Sequence, residues 1–301
     1  MNALLVVNPA AGQGKPREAL AALKTALGPF VGRVFETQKA GDAEEAARQA
    51  AGRGFDAVLV AGGDGTVNEV INGLMTAPNM SGLQSSGSLP LGLVPLGTQN
   101  VLASELGLSD DLMAVAALLR AGKTRRLDLG RAGTRCFVLM AGFGFDAVVV
   151  REVLGSVKEL IGPAAYAFAT LGALAKYQST AITLTLDGET IRSEAFLVVV
   201  ANAASYAYRQ IKLAPFAALG DGWLDICVFE RPKLDRVGFA SQMVSVLARR
   251  HLRDPSVRYY RARTITLSSH PPISGQLDGE TFGQTPVTIC IVPNALSVFV
   301  L

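Results

Sequence analysis

A glycine-rich segment, Gly62-Gly63-Asp64-Gly65-Thr66, stands where a buried strand is predicted to end and a helix to begin. Glycines at such a junction let backbone N–H groups approach a phosphate, and the helix N-terminus adds a positive dipole. Asp64 would repel a bare phosphate, so its presence indicates Mg²⁺ between the acid and a nucleotide. The segment therefore predicts a nucleotide site with Mg²⁺. A ligand-free turn that uses Asp64 as a turn residue is the alternative.

Two further loops are predicted at the same edge of the sheet. Pro95 to Asn100 follows another strand and leads into a helix, and in a parallel sheet it opens on the same carboxyl edge. Asn8 to Lys15 resembles a Walker A loop, but Pro9 replaces its first glycine and Pro16 stands where Ser or Thr would hold magnesium. The chain is therefore not a P-loop NTPase. Lys15 can still meet phosphate, with a solvated surface role as the alternative.

Two acidic turns share the sequence Asp-Gly-Glu. The first, Asp187 to Glu189, lies between alternating strands, as a hairpin turn should. The second, Asp278 to Glu280, follows an irregular segment, and a turn role is its alternative. A carboxylate pair at this place suits a hydroxyl nucleophile, which must lose its proton to a general base. We therefore expect Asp278 and Glu280 to be catalytic.

The elements that position these loops form two regions with different strand patterns. In the first region, short apolar runs at 4–7, 31–37, 55–62 and 91–97 alternate with helical patterns, which indicates a parallel α/β sheet. In the second, alternating strands at 182–186, 196–200, 226–229 and 287–292 predict an antiparallel β-sandwich, with helices at about 146–178 and 233–252. We expect a nucleotide-binding domain at 1–125 and a β-sandwich domain at 126–301, whose last strand can return to the first domain.

Two local patterns need an interpretation of their own. Thr66 with Glu69, and Asp42 with Glu45, fit capping boxes at the starts of two helices. The segment 142–147 matches G-x-G-x-x-A after a strand, as in dinucleotide-binding folds. The elements after it look antiparallel and no acid follows at the required distance, so we expect this match to be structural.

The composition excludes several classes of protein. The 301 residues suffice for two domains, and the net charge of +3 is too small to indicate nucleic-acid binding, which needs clustered basic residues. Cys136, Cys227 and Cys290 lie far apart in apolar runs, which predicts reduced core thiols and a cytoplasmic protein. No stretch reaches the roughly 20 apolar residues of a transmembrane helix, and Ala3 to Val7 is expected to be a strand rather than a signal peptide.

Four motifs in order, Asn8-Pro9, GGDGTVNEV, PLGTQN and Leu277-Asp278-Gly279-Glu280, resemble the bacterial diacylglycerol kinase and lipid kinase family, whose relatives include sphingosine kinases. The resemblance covers nearly the whole chain, although NAD kinases share the GGDGT segment. It implies an ATP-binding α/β domain, a β-sandwich domain with the lipid site, and ATP and Mg²⁺ as cofactors. It also implies a lipid substrate at the inner membrane surface, and it leaves a homodimer open.

The resemblance also implies roles for individual residues. The general base corresponds to Glu280 with Asp278 beside it, and Asp128 corresponds to an acid of the magnesium network. A structural-metal loop implies ligands from Asp221 and the carbonyls of Ala218 and Trp223, with a plain Asp-Gly turn as the alternative. The expected nucleotide contacts are Asn8, Thr37, Gly62, Gly63, Asp64, Gly65, Thr66, Val67, Asn68 and Thr98, and the loop analysis above adds Lys15, Gly97 and Asn100.

This chain departs from the family pattern at two places. Many members have Asp after the Asn of PLGTQN, where this chain has Val101, and Tyr208 is followed by Arg209-Gln210 in place of a glycine pair.

An NAD kinase and a non-catalytic nucleotide or lipid sensor remain alternatives. A DNA-binding regulator is a weaker one, because the arginines between 249 and 263 form a scattered stripe that suits lipid head groups or solvent better. The apolar stretch Pro163 to Ala175 is either an acyl-chain or membrane-facing element or a buried helix.

Overall fold

A computed structural model describes residues 1–14, 19–76, 89–150, 177–206 and 211–301. The chain divides into two compact units. The first unit contains residues 1–129, 219–222 and 292–301, and the second contains residues 130–218 and 223–291.

The first unit begins with short strands that alternate with helices. Its strands are β1 (Ala3–Val7), β2 (Val31–Glu36), β3 (Ala57–Gly62) and β4 (Leu91–Pro95). Its helices are α1 (Leu20–Leu27), α2 (Asp42–Ala50), α3 (Asp64–Met75), α4 (Val101–Glu105) and α5 (Leu112–Ala121). Short 3-10 turns lie at Ala11–Gly14, Gly28–Phe30 and Ala51–Arg53.

The strands of the first unit pair in parallel. β1 lies between β2 and β3, and β4 pairs with the other side of β3, which gives the order β4-β3-β1-β2. Every residue of β1, β3 and β4 is buried, as expected for parallel strands that are covered on both faces. The predicted parallel sheet is confirmed, and its strands all end at one carboxyl edge.

The start of α3 differs from the predicted capping box. The helix begins at Asp64, two residues before the expected cap Thr66, with Gly63 in extended conformation at the N-cap. Glu69 serves another helix, because its Oε2 accepts the backbone N–H of Ala43 in α2 at 3.2 Å. The prediction was wrong because the partner of Glu69 comes from tertiary packing rather than from its own helix turn.

The start of α2 is also not a capping box. Gly41, at φ +87°, occupies the N-cap. Oδ2 of Asp42 accepts N–H groups from Gln38 and Lys39, at 2.8 and 3.0 Å, in the turn before the helix. These backbone bonds lower the pKa of Asp42. The acid therefore stabilises the preceding turn, while Glu45 lies within the helix.

The second unit is built from antiparallel strands. β5 (Thr124–Ala132) has residues in both units. The strands that follow are β6 (Arg135–Phe137), β7 (Met140–Gly144), β8 (Thr180–Leu186), β9 (Glu189–Ala201), β10 (Leu224–Glu230), β11 (Val257–Ala262), β12 (Thr264–His270), β13 (Ser274–Leu277) and β14 (Glu280–Gln284). β15 (Val287–Phe299) again has residues in both units.

β9 shows how the second unit is packed. It pairs antiparallel with β7, β8 and β10. Val198 and Val200 belong to one hydrophobic core, whereas Leu197 and Val199 belong to another. Successive side chains of a strand point to opposite faces, so both faces of this sheet are covered. The predicted antiparallel architecture of this region is confirmed.

The helices of the second unit are α6 (Phe145–Val149) and α7 (Asp235–Leu247). α7, with the 3-10 turn His251–Arg253, accounts for the helix predicted at 233–252. Most of the helix predicted at 146–178 falls outside the described residues. In the described part of the chain, no helix combines the length and apolar character needed to cross a membrane.

The three cysteines are free thiols. Cys136 and Cys227 are buried, and Cys290 is partly buried. Burial raises the pKa of Cys136 to about 11 and that of Cys227 to about 12, because the thiolate would lose its hydration. The expectation of reduced core thiols is therefore confirmed for Cys136 and Cys227.

Candidate active site

The ends of the four parallel strands bring the predicted nucleotide-binding loops to one edge. Asn8 follows β1, Thr37 follows β2 and Gly63 follows β3 directly, and Gly97 stands two residues beyond β4. Backbone bonds tie neighbouring ends together: Asn8 N donates to the carbonyl of Ala61 at 3.0 Å, and Thr37 N donates to the carbonyl of Val7 at 2.9 Å. A crevice outside the carboxyl ends of parallel strands is where α/β sheets bind ligands.

The loops at this edge touch through bare backbone. A Cβ added to Gly97 would lie 2.3 Å from Cα of Gly63, and a Cβ added to Gly12 would lie 2.1 Å from the carbonyl oxygen of Leu96. Gly12 also has φ +53°, a conformation that side chains disfavour. Three loops can therefore meet closely only because glycine stands at each contact.

A side-chain bond joins two of the motifs. Asn8 Nδ2 donates to Thr66 Oγ1 at 2.9 Å, and Asn8 Oδ1 accepts the N–H of Ala10 at 3.1 Å. Thr66 is buried, so its hydroxyl fixes the first loop to α3. Asn68 Oδ1, two residues further along α3, accepts a bond from Asn72 Nδ2 at 3.0 Å. The bond between Asn8 and Thr66 therefore holds two loops of the edge together, whereas that of Asn68 lies within α3. The roles of Asn8, Thr66 and Asn68 as nucleotide contacts stay predictions.

Asp64 occupies the first turn of α3, and its carboxylate faces the start of α4. Burial raises the pKa of this carboxyl above its ordinary value, although backbone N–H groups, that of Leu102 foremost, act in the opposite direction. Leu102 N donates to Asp64 Oδ1 at 3.4 Å, which is a long bond. A cation beside a desolvated carboxylate favours its charged form. Asp64 therefore fits the expected ligand of Mg²⁺.

A small cavity lies beside Asp64 in the first unit. Its volume is about 10 Å³, and its lining includes Gly62, Asp64, Pro95, Asn100 and Leu102. This is room for about one water molecule. A nucleotide would therefore have to lie over the loops rather than inside this cavity.

The loop after β4 is held by Asn100. This residue has φ +49°; its Oδ1 accepts from Gly97 N at 2.9 Å, and its Nδ2 donates to Gly97 O at 3.0 Å. These bonds close the turn and leave Thr98 exposed at its tip. Val101, where many family members have Asp, is buried at the start of α4. At this position the chain therefore offers a core side chain instead of a metal ligand.

In the second unit, Asp278 and Gly279 form the turn between β13 and β14, with φ +47° and +86°. The carboxylate of Asp278 accepts three backbone N–H groups, from Val138 at 2.7 Å, Leu139 at 2.8 Å and Met140 at 2.9 Å. Asp278 N in turn donates to the carbonyl of Met140 at 2.9 Å. These bonds fix the turn firmly.

Glu280 is the first residue of β14, directly after this turn. Its side chain is exposed, while the neighbouring carboxylate of Asp278 is engaged with backbone donors. The two acids of the predicted pair therefore have different surroundings. Glu280 is available to a reactant, and Asp278 is placed to fix the turn that presents it.

Two protein-family models match the chain, one after the other. Residues 2–132 match the diacylglycerol kinase catalytic domain. Residues 140–300, more than half of the chain, match the YegS C-terminal NAD kinase beta sandwich-like domain. The chain belongs to the bacterial diacylglycerol kinase and lipid kinase family. The resemblance stated from the four motifs is confirmed.

Named relatives cover nearly the full length of this diacylglycerol kinase family member. A diacylglycerol kinase of Staphylococcus saprophyticus subsp. saprophyticus is 29% identical over 299 residues, which are 99% of this chain and 94% of the relative. A diacylglycerol kinase of Staphylococcus aureus is 28% identical over 299 residues, 99% and 91% of the two chains. A crystal structure of a candidate diacylglycerol kinase from Bacillus anthracis str. Sterne superposes with a TM-score of 0.80 at 24% identity, over 100% of this chain and 97% of that one. The crystal structure shows a shared fold.

The residues that the family pattern assigns to metal have mixed surroundings. Asp128 is buried; its Oδ2 accepts from Gly222 N and its Oδ1 from Asn294 N, both at 2.7 Å. Asp221 is exposed in the same turn, between Gly220 and Gly222, which have φ +101° and +77°. The buried carboxylate of Asp128 therefore holds this turn in place through Gly222. The assignment of Asp128 and Asp221 to metal sites stays a prediction.

Two further predicted ligands, Ala218 and Trp223, belong to the second unit. Ala218 is exposed, and the ring of Trp223 packs against the guanidinium groups of Arg263 and Arg261, 4.5 and 5.6 Å from its centroid. Within the described residues, no three His, Cys, Asp or Glu side chains form a group that could hold a metal ion. Mg²⁺ at a kinase site commonly uses one or two carboxylates together with substrate phosphates, which is a role Asp64 fits.

A buried polar network behind the second turn was missed by the sequence analysis. Gln276 Oε1 accepts from Gly279 N at 2.7 Å, and Gln276 Nε2 donates to Asp146 Oδ2 at 2.6 Å. Tyr206 donates its hydroxyl proton to the other oxygen of Asp146. A Cβ at Gly142 would lie 1.8 Å from Asp146 Oδ2, so the G-x-G-x-x-A segment needs this glycine to make room for the acid. That segment is structural, as expected. Gly142 was the feature of the sequence that could have indicated the buried acid.

Several predictions lie outside the described residues. They concern Lys15, the departure at Tyr208 to Gln210 and the apolar stretch Pro163 to Ala175. Of the remaining nucleotide contacts, Gly62 closes β3, and Gly65 and Val67 lie in the first turn of α3. The predicted nucleotide contacts that follow β1 to β4 thus lie at one edge of the sheet in the first unit. The predicted catalytic pair, Asp278 and Glu280, lies in the second unit.

Proposed function

We propose that this protein is an ATP-dependent lipid kinase that transfers the γ-phosphate of ATP, with Mg²⁺, to the hydroxyl of a diacylglycerol-like or phosphatidylglycerol-like lipid. Its family is one of lipid kinases, which supports phosphoryl transfer to a lipid. We further propose that it works in the cytoplasm, on lipid at the inner surface of the membrane.

One observation carries the proposal: the carboxyl ends of four parallel strands present glycine-rich loops and helix starts at a single edge. Backbone N–H groups in such loops suit the phosphates of a nucleotide, because they supply donors and positive dipole without added side chains. Gly63 and Gly97 approach each other closely here. Side chains larger than hydrogen would fill the space that this approach needs.

In the proposed mechanism the first unit positions and neutralises phosphate charge. Mg²⁺, when bound, would offset the negative charge of the phosphates. Asp64 would hold it, since its carboxylate lies in the Gly62 to Thr66 loop and the bond that it accepts from Leu102 N, at 3.4 Å, is long. The N–H groups of this loop then donate to the charge that develops during transfer.

The second unit supplies the proton acceptor in this mechanism. Glu280 takes the proton of the lipid hydroxyl, and the three backbone bonds of Asp278 keep the turn in place. A base held by a fixed turn loses little freedom when the acceptor binds. Asp278 therefore contributes by positioning Glu280, and its own carboxylate need not touch the reactants.

The test is transfer of radiolabelled γ-phosphate from ATP into a total bacterial lipid extract in mixed micelles with Mg²⁺. We expect one labelled lipid, whose mass identifies the acceptor. Glu280→Gln and Asp64→Asn should abolish the label, whereas Glu189→Gln, in the other Asp-Gly-Glu turn, should leave it unchanged.

Parallel reactions distinguish the alternatives. Label transferred to NAD in the absence of lipid would identify an NAD kinase. Binding of an ATP analogue without any labelled product would favour a nucleotide sensor. Full activity of Glu280→Gln, in turn, would remove this residue from the proposed mechanism while leaving the kinase itself in place.

A further inference from the structure

α7 has apolar side chains on the face that points to solvent. Val237, Val244 and Leu247, with Leu234 just before the helix, expose between 65% and 72% of their surface. Their spacings of three and seven residues put them on one side of a helix. Among the described residues, these four are half of the eight large apolar side chains that are exposed. Such a concentration marks an interaction surface.

The opposite face of α7 fixes the orientation of the helix. Phe239, Gln242 and Val246 are buried, and the ring of Phe239 stacks on Phe196 with 4.6 Å between centroids. A helix anchored in this way cannot turn its outer face inward without breaking the core. The exposed apolar face is therefore a stable feature of the second unit.

Positive charge surrounds this face. Residues 231–253 contain six Lys or Arg and one acidic residue, whereas the rest of the chain contains 22 Lys or Arg and 24 acidic residues. Lys233, Arg249, Arg250 and Arg253 are exposed and form no ion pair within the part of the chain that the structure describes. The chain's net positive charge is thus concentrated at the two ends of α7.

We infer that α7 docks the protein on an anionic lipid bilayer, lying in the interface with Val237, Val244 and Leu247 inserted among the acyl chains. Apolar side chains on one face with Lys and Arg at the rim are the features of helices that bind in the plane of a membrane. Thirteen residues of helix span about 20 Å, which suits a helix that lies on the surface. The inference deepens the proposed function, on which it rests for the lipid nature of the partner.

The experiment is sedimentation of the full-length protein with vesicles of phosphatidylcholine, with and without phosphatidylglycerol, in the absence of ATP. Val244→Glu/Leu247→Glu should weaken vesicle binding at least ten-fold. Val244→Glu alone should weaken it less, and Met113→Glu is its matched control, because Met113 is 68% exposed on α5 and Val244 is 66% exposed. Its binding should equal that of the wild type.

The charges are tested separately. Lys233→Gln/Arg250→Gln should weaken binding about five-fold, on vesicles with phosphatidylglycerol only, and added salt should do the same to the wild type. Lys24→Gln/Arg33→Gln removes the same charge from exposed positions in the first unit and should have no effect.

Two results would overturn the inference. One is vesicle binding by Val244→Glu/Leu247→Glu that matches the wild type. The other is a Val244→Glu/Leu247→Glu variant that self-associates less than the wild type in light scattering but binds vesicles equally well. That result would assign the face to contact with a second copy of the chain. Sedimentation needs no turnover, so a protein that docks through α7 and labels no lipid would contradict the proposed function alone.

Discussion

The two Asp-Gly-Glu turns of the second unit are built alike. Asp187 and Gly188 have φ +48° and +101°, and Asp278 and Gly279 have φ +47° and +86°. In each turn the Asp carboxylate accepts backbone N–H groups from a neighbouring segment, those of Arg263 and Thr264 in the first case. The first turn was predicted to be a hairpin, and the structure confirms it. The second has the same backbone, so the turn itself does not distinguish a functional site.

The difference lies behind the turns. Two residues before Asp278 stands Gln276, buried and bonded to Gly279 and to the buried Asp146. Two residues before Asp187 stands Thr185, whose hydroxyl meets that of Thr190 at the surface. Burying polar groups costs free energy even when they are paired, and a hairpin does not require it. We infer that the second turn is supported in this way because the position of Glu280 matters.

The sharpest test of this comparison replaces each of the two glutamates by glutamine in turn. Glu280→Gln should lower the rate of phosphate transfer by about 100- to 10,000-fold, because amide cannot accept the proton. Glu189→Gln should change it less than about two-fold, since the residue is exposed at a structural turn. Initial rates with the lipid identified above measure both. Equal losses in the two variants would show that the turns are not functionally different.

The next largest effect is expected at Asp278. Asp278→Asn weakens the acceptor of three backbone N–H groups, so we expect a loss of about 1–3 kcal/mol in the free energy of unfolding. The rate of phosphate transfer should fall as well, because Glu280 comes directly after the turn that Asp278 holds in place. Urea denaturation and initial rates are the measurements. Asp187→Asn is the matched control, and it should lower stability without affecting the rate; a slower reaction in that variant would contradict the comparison.

A smaller effect is expected at Gln276. Gln276→Leu removes the bonds to Gly279 and Asp146, so the turn should shift slightly and kcat should fall about ten-fold. KM for ATP should not change, because the nucleotide edge is untouched. Thr185→Val, at the matching position of the first turn, should leave kcat unchanged. If Gln276→Leu lowers only stability and leaves kcat unchanged, Gln276 has no positioning role.

The contrast also shows what a sequence can predict. The parallel strands and the Gly62 to Thr66 loop were predictable, since apolar runs and glycines act through local geometry. Gln276 was not, because one polar residue in a strand looks the same whether it faces solvent or a buried acid. Glu69 likewise fitted its own helix by spacing, yet it bonds to Ala43 in α2. Contacts between distant segments decide such cases.

The smallest expected effect is a dependence of stability on pH, which comes from the buried carboxyl of Asp146 behind the second turn. Burial raises the pKa of Asp146 above its ordinary value of 3.8, although the bonds from Tyr206 and Gln276 act in the opposite direction. A carboxyl with a raised pKa in the folded state binds its proton more tightly there than in the unfolded chain. Its contribution to stability is therefore complete below pH 3.8 and is lost as the pH rises through the raised value.

Asp146→Asn resembles the protonated acid, so its stability should lack this dependence. The free energy of unfolding of the wild type relative to Asp146→Asn should therefore fall as the pH rises above about 4, measured by urea denaturation at each pH. Groups whose pKa is the same in both proteins cancel in this difference in the free energy of unfolding. A difference that grows with pH would mean that the bonds from Tyr206 and Gln276 outweigh burial. The network would then hold a charged carboxylate behind the turn of Glu280, and Gln276 would be fixed by charge as well as by packing.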